Sequence, residues 1–230
     1  MELKNRVVTL VADPFPPYQY MEGSQVTGLD YEIIINSFRN QNIKASVALR
    51  PWDECIQRMD QALADGIFQI AKTPERERRF LFSDLLRIAK TLLYCNKARP
   101  VTLDESGTLA EQLRKTTIAT VRGYSYGPEF DGLQGISRMP LNSHQDALLE
   151  LSARNVDLAI IDQGVAVHLI DRLRLGDTLQ EVANFEINRP LFVAFQKAAP
   201  QIREIFNRGL DQVRRNGTYD VVMSKYKLNE

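Results

Sequence analysis

The sequence predicts an α/β fold with a mostly parallel sheet and helices on its faces. Strand-like apolar runs alternate with amphipathic helix patterns over residues 7–71, and this rhythm is typical of βαβ units. An apolar fraction of 44% and a charged fraction of 25% are typical of a globular protein with a sizeable core. The length of 230 residues allows one large domain or two smaller ones.

The first part of the chain contains the clearest periodic patterns. The predicted strands share short apolar runs and lie at Val7–Ala12, Ser46–Leu49 and Gly66–Ala71. The predicted helices share apolar residues at helical spacing, namely Leu29, Ile33, Ile34 and Phe38, then Trp52, Ile56, Met59 and Leu63. Parallel strands need such crossover helices, so the order of elements favours a parallel sheet.

A second β/α series follows a long extended run over Leu85–Asn96. The composition becomes polar across residues 97–107, which predicts a crossing between domains. The next predicted strands are Thr117–Val121, Asp157–Ile161 and Leu191–Phe195. One predicted helix follows a Ser143 cap, and a second covers Val165–Leu173. A long helix begins near Ile202 and ends at Asn216-Gly217, and a last amphipathic segment follows it.

Composition excludes several classes of function. Lys and Arg total 29, as do Asp and Glu, so there is no basic excess for nucleic acid or for a charged membrane surface. The sequence contains no run of 18 apolar residues, so it predicts no membrane-spanning helix. Cys55 and Cys95 are too few for a disulfide framework and are expected to be buried free thiols. His144 and His168 lie far apart without cysteines at ligand spacing, so no metal or other cofactor is expected.

Candidate site residues follow the predicted strands, because ligands of open α/β sheets bind beyond the carboxyl ends of strands. The loops concerned are Asp13–Tyr20, Lys72–Arg76, Arg122–Gly127 and the loop at Asp162. Within them, Thr73 and Pro74 are expected to begin a short helix. An arginine with free backbone N–H groups suits a carboxylate, and a lone acid suits an ammonium. The combination predicts a site for a small zwitterion.

Each candidate also has a purely structural interpretation. Phe15 can pack its ring inward in a rigid turn, and Trp52 lies on an apolar helix stripe that suits the core. Arg76 stands among mixed charges, which is typical of a solvated helix face. Asp162 can serve as the cap of the helix that follows it.

The segment Gly123–Gly127 matches the G-x-S-x-G pattern of a hydrolase nucleophile elbow and follows a predicted strand. The triad partners argue against that interpretation, since Asp162 precedes His168 by only a few residues and no HGGG-like segment is present. The alternative is that Ser125 and the following N–H groups hold an anion at the start of a helix.

Several short blocks in the right order resemble one known family. They are Asp13–Tyr18, Gly28–Asp30, Pro51-Trp52, Thr73–Arg76, Phe82–Asp84, Val121–Gly123 and Asn216–Asp220. Nearly end to end, the chain resembles the family 3 extracellular solute-binding proteins, which include polar amino-acid receptors of ABC importers. The resemblance implies a type II periplasmic-binding-protein fold, with two lobes joined by two hinge strands and a ligand cleft between them. The first lobe would comprise residues 1–93 and 192–230, and the second residues 94–191.

The resemblance also implies roles for charged and aromatic residues. Arg76 matches the arginine that clamps the ligand carboxylate, and Asp162 matches the acid that takes the α-ammonium. Phe15 and Trp52 match the aromatic pair that encloses the ligand side chain. All four are therefore expected to bind the ligand.

Three further positions are implied as ligand contacts. Gln69 and Ala71 match positions that give backbone contacts, and Ser125 matches a hydroxyl at a helix N-terminus of the second lobe. The chain departs from the family pattern at Ala71, where Ser or Thr is usual, and at Tyr31, which interrupts the signature after Gly28. The tyrosines on either side of Ser125 add bulk where small polar residues are common.

The function implied is capture of an amino acid or related acid by a non-enzymatic, monomeric protein that works with a membrane ABC permease or sensor partner. Its expected location is periplasmic or otherwise extracytoplasmic, with the leader absent from the sequence. Two alternatives stay open. One is a cyclohexadienyl or arogenate dehydratase-like enzyme, which would need a general acid such as Asp162, Glu129 or Asp131. The other is a ligand-sensing ectodomain of a membrane receptor.

Overall fold

The computed structural model describes residues 6–104 and 107–227, and the chain divides into two compact units. The first unit contains the residues up to 88 and those from 190 onward, while the second contains residues 89–189. The predicted lobe limits, after residues 93 and 191, lie a few residues beyond these boundaries. The polar stretch at 97–107 is not a domain crossing, because it lies inside the second unit after a strand ends; its residues 105–106 are outside the described part.

The first unit is built on a mixed sheet. Its strands, labelled in chain order, are β1 (Val7–Ala12), β2 (Tyr20–Glu22), β3 (Gln25–Thr27), β4 (Lys44–Leu49), β5 (Gly66–Ile70), β6 (Phe80–Phe82) and most of β12 (Ile187–Gln196). Strands β4, β1 and β5 are parallel neighbours, and β12 pairs antiparallel with β5 and β6. Strands β2 and β3 form a separate hairpin. The parallel part confirms the prediction from the βαβ rhythm.

Helices cover the first unit's sheet. They are α1 (Leu29–Arg39), α2 (Trp52–Asp60), α3 (Pro74–Arg79), α8 (Pro200–Arg215) and α9 (Thr218–Lys225). Helices α1 and α8 pack closely because position 209 is glycine, where a Cβ atom would clash with the Ser37 carbonyl oxygen. Beneath them, the ring of Phe38 packs 5.4 Å from that of Phe206 and 6.4 Å from that of Phe195.

A buried ion pair fixes the start of α1 in the first unit. Asp30 is fully buried and accepts two hydrogen bonds from Arg87, at 2.6 and 3.1 Å. The Arg87 guanidinium carbon lies 3.6 Å from the centre of the Tyr18 ring. Gly28 has a φ of 122°, and a Cβ there would clash with the Tyr18 carbonyl oxygen. The Gly28–Asp30 block is therefore explained by packing against the loop that follows β1.

The second unit has its own sheet and core. Its strands are β7 (Arg87–Asn96, entered from the first unit), β8 (Thr117–Val121), β9 (Ser137–Leu141), β10 (Leu158–Asp162) and β11 (Leu179–Glu181). Strands β10, β8 and β9 are parallel neighbours, and β7 pairs antiparallel with β10 and β11. The helices are α4 (Leu109–Leu113), α5 (Pro128–Asp131), α6 (His144–Ser152) and α7 (Gln163–Leu173). The core lies among Leu93, Ile118, Phe130 and Leu158.

One predicted core residue is wrong. The helical spacing predicts Leu63 on the apolar stripe of α2, but Leu63 is 56% exposed and lies beyond the last residue of that helix. Ala62 adopts a left-handed φ of 54°, and the Leu63 N–H donates to the Arg58 carbonyl oxygen. This hydrogen bond is the helix-ending pattern of a Schellman motif, so the chain leaves the helix before Leu63 can reach the core.

Cys55 and Cys95 are both free and buried, as the sequence predicts. Among the helices of the described residues, none has the length and apolar character needed to cross a bilayer.

Candidate functional site

The first unit gathers its predicted site residues at one edge of the sheet. Strands β1, β4 and β5 run parallel, so their carboxyl ends meet there. The loop after β1 carries Phe15, Trp52 opens the helix after β4, and Gln69 lies near the end of β5. Ala71 follows β5 directly, and Arg76 lies on α3, the next element along the chain. The five residues are therefore brought to a single edge, as the strand pattern implies.

Arg76 is held in place by its own helix start. The Thr73 hydroxyl oxygen accepts a hydrogen bond from the Arg76 backbone N–H at 3.3 Å, and Pro74 occupies the first helical turn, as predicted. The Arg76 Nη1 donates to the Ala71 carbonyl oxygen at 2.9 Å, and the guanidinium carbon lies 5.6 Å from the centre of the Trp52 ring. These contacts hold the Arg76 guanidinium at the edge of the sheet.

The Arg76 guanidinium is half-buried, and burial lowers its pKa from the usual value. Arginine nevertheless stays charged at neutral pH. Within residues 6–104 and 107–227, no carboxylate forms an ion pair with Arg76. Since one Nη1 contact uses only part of a five-donor fork, the side chain can also bind a carboxylate in two-point fashion.

Gln69 lies at a β-bulge in the pairing of β5 with β12, which the sequence pattern does not predict. It has a left-handed φ of 56°, and the pairing of β5 with β12 shifts register between Phe192 and Val193. Such a bulge leaves one residue outside the ladder and turns its side chain. The Gln69 Oε1 accepts a hydrogen bond from the Gln19 Nε2, which joins the end of β5 to the loop after β1.

The loop after β1 is closed by backbone hydrogen bonds. The Phe15 N–H donates to the Gln19 carbonyl oxygen at 2.7 Å, and the Tyr18 N–H donates to the Phe15 carbonyl oxygen at 2.9 Å. The ring of Phe15 stacks on that of Tyr18 with centroids 5.8 Å apart. Phe15 remains half-buried, so one part of its ring packs inward while another part is available at the edge.

Two titratable groups adjoin this loop. Burial raises the pKa of the Asp13 carboxyl, and its position directly after β1 places it at the same edge. The pKa of the Cys55 thiol is raised to about 11, first by burial and then by the Asp13 charge. A thiol with so high a pKa is a poor nucleophile at neutral pH.

In the second unit, Asp162 ends β10 and caps the next helix. Its side chain is buried at 7% exposure, and its Oδ1 accepts hydrogen bonds from the N–H groups of Gly164 at 3.0 Å and Val165 at 3.2 Å. The cap interpretation from the sequence is thus correct. A capping carboxylate keeps lone pairs beyond those two bonds, so the cap does not exclude ligand binding.

Ser125 is engaged by the chain itself. Its hydroxyl donates to Asp131 Oδ2 at 2.6 Å, and the same carboxylate accepts from the N–H groups of Tyr126 at 3.1 Å and Gly127 at 3.2 Å. The anion predicted for this loop is therefore present, but it belongs to Asp131. Helix α5 begins at Pro128 with Gly127 as its cap, so Ser125 is not itself the first residue of a helix.

A histidine that the sequence gave no reason to select lies beside these residues. His144 begins α6, after a Ser143 cap whose hydroxyl accepts from the Asp146 N–H at 3.0 Å. Its ring meets that of Tyr124 edge-on, with centroids 4.9 Å apart. Burial lowers the pKa of His144, while the charge of Asp162 acts to raise it. No motif spacing connects Tyr124 with His144; their contact depends on tertiary packing.

An open cavity of about 540 Å³ also lies within the second unit. Its described lining includes Leu103, Glu129, Phe185 and Asn188, and the seven predicted site residues are not part of it. No group of three or more His, Cys, Asp or Glu side chains suited to a metal occurs in residues 6–104 and 107–227.

Comparison with known proteins decides the family. Residues 7–229 match the bacterial extracellular solute-binding proteins, family 3. The chain belongs to this family.

Its relatives are distant in sequence. The arginine-binding extracellular protein ArtP of Bacillus subtilis (strain 168) is 22% identical over 235 residues, covering 99% of this chain and 88% of that protein. The histidine-binding periplasmic protein of Salmonella typhimurium (strain LT2) is 21% identical over 230 residues, covering 95% and 86%. These names describe binding proteins.

A solved structure supports the fold. The sensor domain of a histidine kinase, described as similar to periplasmic binding proteins, superposes with a TM-score of 0.74 at 20% identity, covering 99% of each chain. The protein therefore has the mixed α/β periplasmic-binding-protein fold of its family.

Proposed function

We propose that the protein binds an amino acid by closing its two lobes on it, and that it works in ABC import or in sensing. The observation that carries the proposal is Arg76, a half-buried cation positioned by Ala71 and Trp52 and without a carboxylate partner among the described residues. A partly desolvated guanidinium attracts a ligand carboxylate more strongly than a fully solvated one does, because the local dielectric is lower.

The proposed roles follow from chemistry. Arg76 binds the ligand carboxylate in bidentate fashion, and Asp162 accepts from the α-ammonium. Phe15 and Trp52 enclose the side chain, while Gln69 and Ala71 offer backbone groups. Ala71 has no hydroxyl, so the carboxylate depends more heavily on Arg76 than it would beside a Ser or Thr. The family relationship and the binding proteins among the relatives support an amino acid as the ligand class.

Closure would couple binding to conformation. Arg76 belongs to the first unit and Asp162 to the second, so a ligand that holds both charges stabilises the arrangement in which both can reach it. The free protein then samples the open state, and ligand shifts the population. No catalytic step is required for this function.

The test is a thermal-shift screen with the twenty L-amino acids, followed by calorimetry on the best binder. A ligand at 100 times its Kd adds about 2.7 kcal/mol of stability. Arg76→Ala should weaken the affinity about 100-fold, since truncating one partner of a desolvated charge pair costs about 2–5 kcal/mol. Arg78→Ala is the matched control, because Arg78 is exposed on the same helix. Equal affinity for both variants would remove Arg76 from the site.

Sensing is kept beside transport because a histidine kinase sensor domain has the same fold. Uptake of the labelled ligand in a deletion strain distinguishes the two. Loss of uptake supports a transport receptor with a membrane permease partner. Unchanged uptake with loss of a transcriptional response supports a sensor.

The second candidate function is a dehydratase-like enzyme, which needs a general acid at the site. Asp13 directly follows β1 at the sheet edge, and burial raises the pKa of its carboxyl. Asp131 does not suit that role, because its carboxylate accepts from a hydroxyl and from backbone N–H groups. Release of phenylpyruvate from prephenate tests the enzyme, with Asp13→Asn as the variant. Absence of release removes this alternative.

A further inference from the structure

A buried glutamine joins two of the predicted ligand-binding segments of the first unit. Gln19 is fully buried, and its backbone exchanges two hydrogen bonds with that of Phe15, at 2.7 and 3.2 Å. The Gln19 Nε2 donates to the Asp13 carbonyl oxygen at 3.0 Å and also to the Gln69 Oε1. One side-chain amide therefore links the loop after β1 to the end of β5.

The Asp13 carbonyl group determines which way the Gln19 amide faces. A backbone carbonyl oxygen can only accept, so the Gln19 atom beside it has to be the nitrogen, which donates. The same nitrogen contacts the Gln69 amide, so the Gln69 atom beside it has to be the oxygen. The hydrogen-bond partners thus fix the orientation of both side-chain amides.

This orientation leaves one buried polar atom unsatisfied. The Gln19 Oε1 is buried and accepts no hydrogen bond within residues 6–104 and 107–227. A buried acceptor without a donor costs free energy, so an atom of this kind in a folded protein calls for an explanation. The contacts of Gln19 supply one, because its nitrogen is held between two acceptors and one of them belongs to Gln69.

The outward-facing atom of the Gln69 amide is its nitrogen. Gln69 is half-buried, and its Nε2 donates to no acceptor in the part of the chain that the structure describes but remains accessible to solvent. Two residues further on, the Ala71 carbonyl oxygen accepts from the Arg76 Nη1 at 2.9 Å. N–H donors of Gln69 and of Arg76 therefore lie close together along the segment that follows β5.

Resting on the proposed function, we propose that Gln69 donates through its side chain to the ligand carboxylate beside Arg76, and that Gln19 is the positioning residue that fixes Gln69 as a donor. A side-chain amide that turned freely would present its oxygen as readily as its nitrogen, and that oxygen repels a carboxylate. With Gln19 in place, both side chains present N–H groups. The edge is then complementary to an anionic carboxylate, whose oxygen atoms only accept.

The experiment is a double-mutant cycle on the ligand Kd, measured by calorimetry with the L-amino acid that gives the largest thermal shift. Gln69→Met keeps the chain length but removes the donors, so it should weaken binding about tenfold, as expected for one hydrogen bond to a charged group. Gln19→Met leaves the Gln69 side chain unrestrained. Binding should then be about fivefold weaker, because the ligand has to immobilise that side chain. The double variant should bind as Gln69→Met does, since Gln19 acts only through the Gln69 amide.

A second glutamine pair in the first unit supplies the matched control. The Gln41 Nε2 donates to the Gln212 Oε1 at 3.0 Å, and Gln41 lies between α1 and β4, at the amino end of that strand. Gln41→Met removes the same atoms away from the carboxyl edge of the sheet and should leave the Kd unchanged. Urea unfolding of every variant measures the stability separately from the affinity.

The outcomes separate the roles of these glutamines from the proposed function. A wild-type Kd in Gln69→Met overturns the side-chain contact. A wild-type Kd in Gln19→Met overturns the positioning role, and so does an additive, about fiftyfold, loss of affinity in the double variant, which indicates that Gln19 acts independently of Gln69. In these cases, amino-acid binding that depends on Arg76 still supports the proposed function. Absence of binding to any amino acid overturns both.

Discussion

The two units support their candidate residues in different ways. In the first unit, the charged residues that hold the frame are separate from the charged residue proposed to meet the ligand: Asp30 and Arg87 form the buried ion pair, while Arg76 lies at the edge. In the second unit, the same residues both support the fold and are candidates for ligand contact. Asp162 caps α7 and Ser125 binds Asp131, and both are candidate ligand contacts. Substitution of these charged residues in the first unit should therefore separate stability from affinity, whereas truncation of Asp162 in the second unit should change both.

The largest effect is expected at the buried ion pair of the first unit. Asp30→Ala leaves the Arg87 guanidinium, which is 3% exposed, without its carboxylate. Removing one partner of a buried pair costs about 3–5 kcal/mol, so the free energy of unfolding measured with urea should fall by that amount. At a ligand concentration that saturates the folded protein, binding stoichiometry should stay the same.

Two variants control this prediction. The double variant Asp30→Leu/Arg87→Met should recover most of the loss, because a buried apolar pair needs no counter-charge. Asp211→Ala removes the exposed partner of Arg215 and should cost less than about 1 kcal/mol. Similar losses for Asp30→Ala and Asp211→Ala would contradict a framing role for the buried pair.

An intermediate effect is expected at Asp162, where the two roles coincide. Asp162→Ala should lose about 1 kcal/mol of stability with the helix cap, in addition to its loss of ligand affinity. Asp162→Asn keeps an oxygen for the Gly164 and Val165 N–H groups but lacks the negative charge, so it should retain stability and lose affinity. Arg76→Ala, by comparison, should lose affinity with little change in unfolding. Urea titration and calorimetry on the three variants measure both quantities.

A stable Asp162→Ala variant would show that the cap contributes little, and the contrast between the two units would then disappear. Full affinity in Asp162→Asn would remove its charge from the site.

Much of the fold follows from the sequence because it is encoded locally. The strand over Val7–Ala12 and the Thr73 cap depend on neighbouring residues, and both are confirmed. Strand β9 was missed, since Ser137–Leu141 has neither a clear alternation nor an apolar run, and Leu63 was misplaced by a left-handed residue before it. The residue at which a helix ends depends on backbone dihedral angles, such as the left-handed φ of Ala62, and the apolar spacing does not encode these angles.

The sequence predicts which residue types lie at the candidate site, but not which of their side chains are already hydrogen-bonded within the protein. The strand-end rule correctly places Arg76 and Asp162 at sheet edges. It cannot show that Asp131, six residues along the chain, folds back onto Ser125, or that His144 reaches Tyr124 from another helix. These contacts depend on tertiary packing, so a hydroxyl in a matching position need not be available to a ligand.

The smallest effect is expected at Ser125. If its hydroxyl serves Asp131, Ser125→Ala should lower the free energy of unfolding by about 0.5–1.5 kcal/mol, the net value of one hydrogen bond, and change the ligand Kd less than twofold. Asp131→Ala should destabilise more, because it removes the acceptor for two backbone N–H groups as well. A tenfold loss of affinity in Ser125→Ala at unchanged stability would return the hydroxyl to the ligand, as the family resemblance implies. That result would also mean that Asp131 moves away from Ser125 when the ligand binds. Ser125 would then contact the ligand without stabilising the fold, as is proposed for Arg76 in the first unit.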